Sequence, residues 1–193
     1  MDDFENQKLK YDYHLTNWDK KSMAYHEAGH VVCHYILSDR KIIKITISPT
    51  NEAFGMMKIE ENKNHNETES YLKNSIAILL GGRLSEELYL GQKTTSCYHD
   101  LQIATQIAND MVCRYGMGKK IKLITKDNYS EQLLFEIEKD IINILQDAEN
   151  IAKDIIVNNQ YIIHSLANFL LQHETLTEND INVFFRTTLV NGK

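Results

Sequence analysis

The chain has 193 residues, enough for one domain with a sizeable core, and carries 21 Lys+Arg against 27 Asp+Glu, a formal net charge of -6 at pH 7. That balance, with no basic block, speaks against a general nucleic-acid surface, and the 42% hydrophobic and 25% charged fractions are those of a globular protein. The longest apolar run, Ile76 to Leu80, is far short of the roughly 18 residues of a membrane span.

The start, Met1-Asp2-Asp3-Phe4-Glu5, is acidic where a secretory signal is basic and then apolar. Cys33, Cys97 and Cys113 are an odd number without a CxxC pair, so a reducing, cytoplasmic setting is expected rather than a disulfide framework. Thr16-x-x-Asp19 reads as a capping box opening a helix over about Asp19 to Leu37, ended by Ser38-Asp39. Ile43, Ile45 and Ile47 alternate with Lys44 and Thr46 as in a half-buried strand. Ser48-Pro49-Thr50-Asn51 then turns toward a second short strand over Gly55 to Ile59. Polar residues 61–67 form a loop before a helix capped near Thr68 and stopped at Gly91.

A third helix is predicted from His99 or Asp100 to Tyr115. A long amphipathic helix follows from Ser130 to Lys153 or beyond, with Leu133, Leu134, Ile137, Ile141, Ile144, Leu145 and Ala148 at helical spacing. Helices over Tyr161 to Gln172 and Glu178 to Thr187, the latter capped by Thr177-x-x-Asp180, close the chain. The expected fold class is mainly α with a small β-sheet and a helical C-terminal half.

Chemistry concentrates in the first helix, at His26-Glu27-Ala28-Gly29-His30. Histidines four apart lie about 40° apart on one helix face, so both rings can meet one zinc ion. Glu27 lies about 100° round from His26, off the ligand line but near enough to take a proton from water activated by the metal, the step that starts peptide hydrolysis. A chain of this composition holds roughly 0.025 such patterns by accident. The flanking Met23, Ala24, Val31 and Val32 put the pattern near a core, and Gly29, unfavourable in a helix by about 1 kcal/mol relative to Ala, hints at a close backbone approach. Cys33 and His34 on the same helix read as packing residues. By chemistry alone, the third ligand is open among Glu86, Glu87, Cys97, His99 and Asp100.

Four ordered segments carry a resemblance: Met23 to His30, Gly81-Gly82-Arg83-Leu84-Ser85-Glu86-Glu87-Leu88, Asp100-Leu101 with Ala104-Thr105, and Met111-Val112-Cys113-Arg114-Tyr115-Gly116-Met117. Together with Glu174-Thr175-Leu176, they make residues of about 20 to 186 similar to the peptidase domain of FtsH-type ATP-dependent zinc metalloproteases. The resemblance implies zinc on His26, His30 and Asp100, with Glu27 as general base. It also implies a cleft beside an edge strand, here Ile43 to Ser48 or Gly55 to Ile59, that accepts an extended polypeptide with weak sequence specificity. Glu86 then either orients a ligand histidine or is an ordinary solvated helix charge.

The chain departs from that pattern in two ways. Ser96-Cys97-Tyr98-His99 stands where the family has Gly-Ala-x-Asn, which reshapes the loop and leaves His99 and Cys97 as competitors of Asp100. There is also no GxxxxGK[ST] phosphate-binding loop and no transmembrane segment. The expectation is an N-terminal extension (residues 1–18) and one zinc peptidase domain (residues 19–190), cleaving unfolded or flexible polypeptide without ATP on its own chain. A separate ATPase is a possible partner, and a six-membered homo-oligomeric ring follows from the resemblance. The alternative is a weakly active or inactive protein-binding module on the same fold, which an intact Glu27 disfavours.

Overall fold

A computed structural model describes residues 15–49, 55–62, 66–119 and 130–191. Residues 1–14 of the predicted extension, and parts of the turn after Ser48 and of the 61–67 loop, lie outside the described residues. In chain order the elements are α1 (Asn17–Leu37), β1 (Ile42–Thr46), β2 (Met56–Ile59), α2 (Glu69–Leu90), a single 3-10 turn (Thr95–Cys97), α3 (Tyr98–Cys113), α4 (Glu131–Asn158), α5 (Gln160–His173), β3 (Thr175–Thr177) and α6 (Glu178–Asn191). The class is mainly α with one three-stranded antiparallel sheet. Among the described residues no helix is long and apolar enough to cross a membrane.

Local chemistry sets the helix starts. Thr16 accepts from the Asp19 N–H while Asp19 accepts from the Thr16 N–H at 2.8 Å, closing a capping box. The Thr68 hydroxyl caps α2, Ser130 caps α4, and Thr177 and Asp180 cap each other at the start of α6. α1 is buried on every side from Ser22 to His34, with α2 and α5 packed against it, so the HExxH turn lies in the middle of the protein. α1 and α2 cross where Gly29 meets Gly81: a Cβ on Gly29 would collide with the Gly81 carbonyl and lie 2.6 Å from Ser85 Cβ. Cys33 fills the next step of that contact, as a Cβ on Gly81 would come within 2.8 Å of its sulfur. It is a packing residue.

The sheet order is β2-β1-β3, which makes β1 the central strand. This removes Ile43 to Ser48 from the possible edge strands, since both sides of β1 are paired, and leaves β2. The short strand Thr175–Thr177 was not legible in the periodicity; it exists because Ile45 pairs with Leu176 and Thr46 with Thr175. The predicted alternation also breaks at one end of β1. Ile42 is buried and Ile43 exposed, because the register with β2 shifts between Ile42 and Lys44, and a bulge turns the side chains over.

Candidate metal centre

The structure brings His26, His30 and Asp100 together: one ligand atom of each lies within 4.8 Å of the other two. α1 supplies both imidazoles from consecutive turns, and α3 supplies Asp100 from its first turn, where a helix favours negative charge. His26 Nε2 and His30 Nε2 are 2.9 Å apart, and Asp100 Oδ2 is 3.1 Å from the first and 3.3 Å from the second. Donor atoms bound tetrahedrally at 2.0–2.1 Å are about 3.3 Å apart, so the three atoms already have close to the spacing of a shared ion.

The protons point the same way. His26 Nδ1 lies 2.5 Å from Glu86 Oε1, and His30 Nδ1 lies 2.8 Å from the Ile78 carbonyl. Both partners are acceptors, so each Nδ1 carries the hydrogen, and in their neutral forms the two rings would turn bare Nε2 lone pairs on each other. Two facing lone pairs are no hydrogen bond. They need a cation between them, either a proton or a metal ion. Burial opposes the charged form of His26, but hydrogen bonds to Asp100 and Glu86 and the nearby negative charges outweigh it and push its pKa up to about 10. Asp100 is held far below the usual carboxylate range: burial works against its charge, and the two histidines outweigh that. α2 leaves room for such an ion, because a Cβ on Gly82 would stand 2.6 Å from His30 Nε2 and 2.8 Å from His26 Nε2. Two imidazole nitrogens and one carboxylate oxygen are a donor set suited to zinc with a position left open.

Glu27 sits beside this cluster, buried, with Oε2 lacking any hydrogen-bond partner. Burial pushes its carboxyl pKa up, while the positive charges of His30 and His26 pull it back and Asp100 adds to the rise. Gly55, next to β2, approaches so closely that a Cβ there would lie 2.5 Å from Glu27 Oε1. The sheet edge and this carboxylate are therefore neighbours.

Glu86 is fully buried and holds His26, so it is not an ordinary solvated helix charge. Its oxygens also accept from Ser22 at 3.0 Å, Thr94 at 2.6 Å and Ser96 at 2.5 Å. Burial raises its pKa, and the hydrogen bonds from His26, Ser96 and Thr94 bring the net shift below the usual value. No sequence pattern singled out those three hydroxyls, since serine and threonine carry no spacing signal. The competing ligand candidates lie elsewhere. His99 is exposed, Cys97 points its thiol at the Thr94 carbonyl at 3.3 Å, and Glu87 pairs with Arg83 and Lys93 at the surface. His34 bonds the Arg40 carbonyl at 2.8 Å, as a packing residue does.

Comparison with known proteins agrees with this architecture. The chain is 34% identical over its whole length to an ATP-dependent zinc metalloprotease FtsH of Acidobacterium capsulatum, covering 33% of that protein. It is 31% identical over 84% of its length to the protein of the same name from Rubrobacter xylanophilus, covering 28% of it, and 31% identical over 92% to that of Streptococcus pneumoniae serotype 4, covering 30%. The chain thus spans about a third of the length of the curated relatives it matches. Residues 13–184, which include the HExxH helix, Glu86 and Asp100, match the profile of peptidase family M41, and the chain belongs to that family.

Proposed function

We propose that residues 19–190 form a zinc endopeptidase that hydrolyses peptide bonds of unfolded or flexible polypeptides, with zinc on His26, His30 and Asp100 and with Glu27 as general base. The convergence of His26 Nε2, His30 Nε2 and Asp100 Oδ2 carries this reading. Zinc, when bound, supplies a Lewis acid that acidifies water and polarises the scissile carbonyl. Glu27 takes the proton from the attacking water and passes it to the leaving nitrogen. Its burial, by raising its proton affinity, suits it to hold that proton between the two steps. Asp100 contributes a negative charge that the two neutral histidines lack. An unpartnered buried carboxylate is costly to a fold, which favours a catalytic protein over a binding module that keeps the same scaffold.

β2 is an edge strand, and its approach to Glu27 through Gly55 supports binding of an extended substrate by main-chain hydrogen bonds. Such bonds select little sequence and exclude folded chains. The 193 residues hold no phosphate-binding loop, so peptide hydrolysis by this chain is independent of ATP, and unfolding is the task of an ATPase outside these residues. A cyclic homo-oligomer belongs to the same reading, as does a cytoplasmic location, which suits three free cysteines.

The test is cleavage of casein, and of a folded protein, by the zinc-loaded chain with and without ATP, beside Glu27→Gln. The parent should cleave casein alone, ATP should change nothing, and Glu27→Gln should keep its zinc and lose hydrolysis. Undiminished cleavage by Glu27→Gln removes the mechanism. ATP-stimulated degradation of the folded protein removes the division of labour.

A further inference from the structure

The network behind His26 contains a residue that the related pattern does not have. Where FtsH-type peptidases have the first Gly of Gly-Ala-x-Asn, this chain has Ser96. Its hydroxyl donates to Glu86 Oε1 at 2.5 Å, stands 3.3 Å from His26 Nδ1 and touches Thr94 Oγ1 at 2.6 Å. A carboxylate offers about four lone-pair directions. Glu86 fills two on Oε1 with His26 and Ser96, and two on Oε2 with Ser22 and Thr94.

The plane of a glutamate carboxylate is set by a soft torsion with broad minima. Here hydrogen bonds from three directions fix it: Ser22 from α1, Thr94 from the loop after α2, and Ser96 from the 3-10 turn. Rotating that plane carries Oε1 away from His26 Nδ1, and the ring's Nε2 then swings off the point it shares with His30 and Asp100. Ser96 itself is exposed while Glu86 is buried.

We propose that Ser96 is a positioning residue of the metal centre: by fixing Glu86, it holds the His26 ring aimed at the ion before the ion arrives. The proposal rests on the assignment of zinc to His26, His30 and Asp100. A group in direct contact with a ligand histidine contributes 10–100-fold to metal affinity, and one step further out the expected loss is smaller, roughly three- to tenfold.

The experiment measures zinc affinity by chelator competition, and the imidazole Nδ1 proton of His26 by NMR of the metal-free chain, in the parent, Ser96→Ala, Ser96→Thr and Thr95→Ala. Ser96→Ala should weaken zinc binding by roughly three- to tenfold and shift or broaden the His26 signal. Ser96→Thr, which keeps the hydroxyl at an exposed position, should restore both. Thr95→Ala, exposed and outside the network, should change neither. The proposal is overturned if Ser96→Ala matches the parent in both readouts, as it would were a water able to replace the hydroxyl, or if its defect is not restored by threonine. A parent chain that binds no zinc overturns the underlying assignment instead.

Discussion

Gly82 faces His30 with no space for a side chain between them: a Cβ on Gly82 would lie 2.6 Å from Nε2, the atom that looks toward Asp100. In an ordinary helix interior, alanine is favoured over glycine by about 1 kcal/mol. Gly82→Ala should therefore leave the helix intact and push both imidazoles aside, weakening zinc binding by about 10–100-fold. Chelator competition together with melting in EDTA separates the two effects. Parent-like zinc affinity in this variant would contradict the cradle.

Asp100 and His99 are neighbours with different surroundings, one against both histidines and the other exposed. Asp100→Ala should lose the metal at concentrations that saturate the parent, whereas His99→Ala should keep it. Zinc content after dialysis distinguishes them, and a loss confined to His99→Ala would assign the ligand wrongly.

Much of the fold was legible because helices announce themselves by period and cap: Thr16, Thr68, Ser130 and Thr177 each open a helix where an apolar stripe begins. β3 was not, since Thr175–Thr177 is too short to show alternation and is a strand only through its pairing with β1. The sequence leaves the edge strand open between two segments for the same reason: only the β3 pairing closes the second side of β1. At the site, His26, Glu27 and His30 follow from helix geometry, but Asp100 arrives from 74 residues away and no local spacing points to it. Chemistry alone leaves it among five candidates, Glu86 included; the resemblance selects Asp100 and leaves Glu86 either orienting a ligand histidine or solvated. The hydroxyls of Ser22, Thr94 and Ser96 had no signal at all.

Gly29→Ala should reverse the usual sign of a glycine replacement in a helix. The added methyl would meet the Gly81 carbonyl and Ser85 Cβ at the crossing of α1 and α2, and such overpacking costs about 1–3 kcal/mol. Urea unfolding of the metal-free chain should show destabilisation. A gain in stability would mean that the helices separate easily.

His34 makes stability depend on pH. Burial is the main cause that holds its imidazole pKa below 6.5, and the Arg40 charge adds to it against the hydrogen bond to the Arg40 carbonyl. The unfolded chain therefore takes up this proton first. The neutral ring's contribution is full above about pH 6.5 and is lost as pH falls toward the lower folded value. Between pH 7.5 and 5.5, in EDTA, the parent should lose more stability than His34→Gln, whose side chain does not titrate. Equal losses in denaturant midpoint would show that His34 is not the source.

The proposed ligand atoms come from α1 and α3, and each of these helices packs on α2 and on α4. A metal ion at this point would therefore be a stitch between the first helix and the third, fastening directly two stretches of chain that otherwise meet mainly through α2 and α4. Its binding energy would become fold stability, about 4 kcal/mol when free metal is a thousandfold above the dissociation constant. Chelation should loosen the structure unevenly. The first turn of α3, with Tyr98 and His99 already in solvent, should exchange its amide hydrogens early, while the middle turns of α1, buried on all sides, should keep theirs until the whole domain opens.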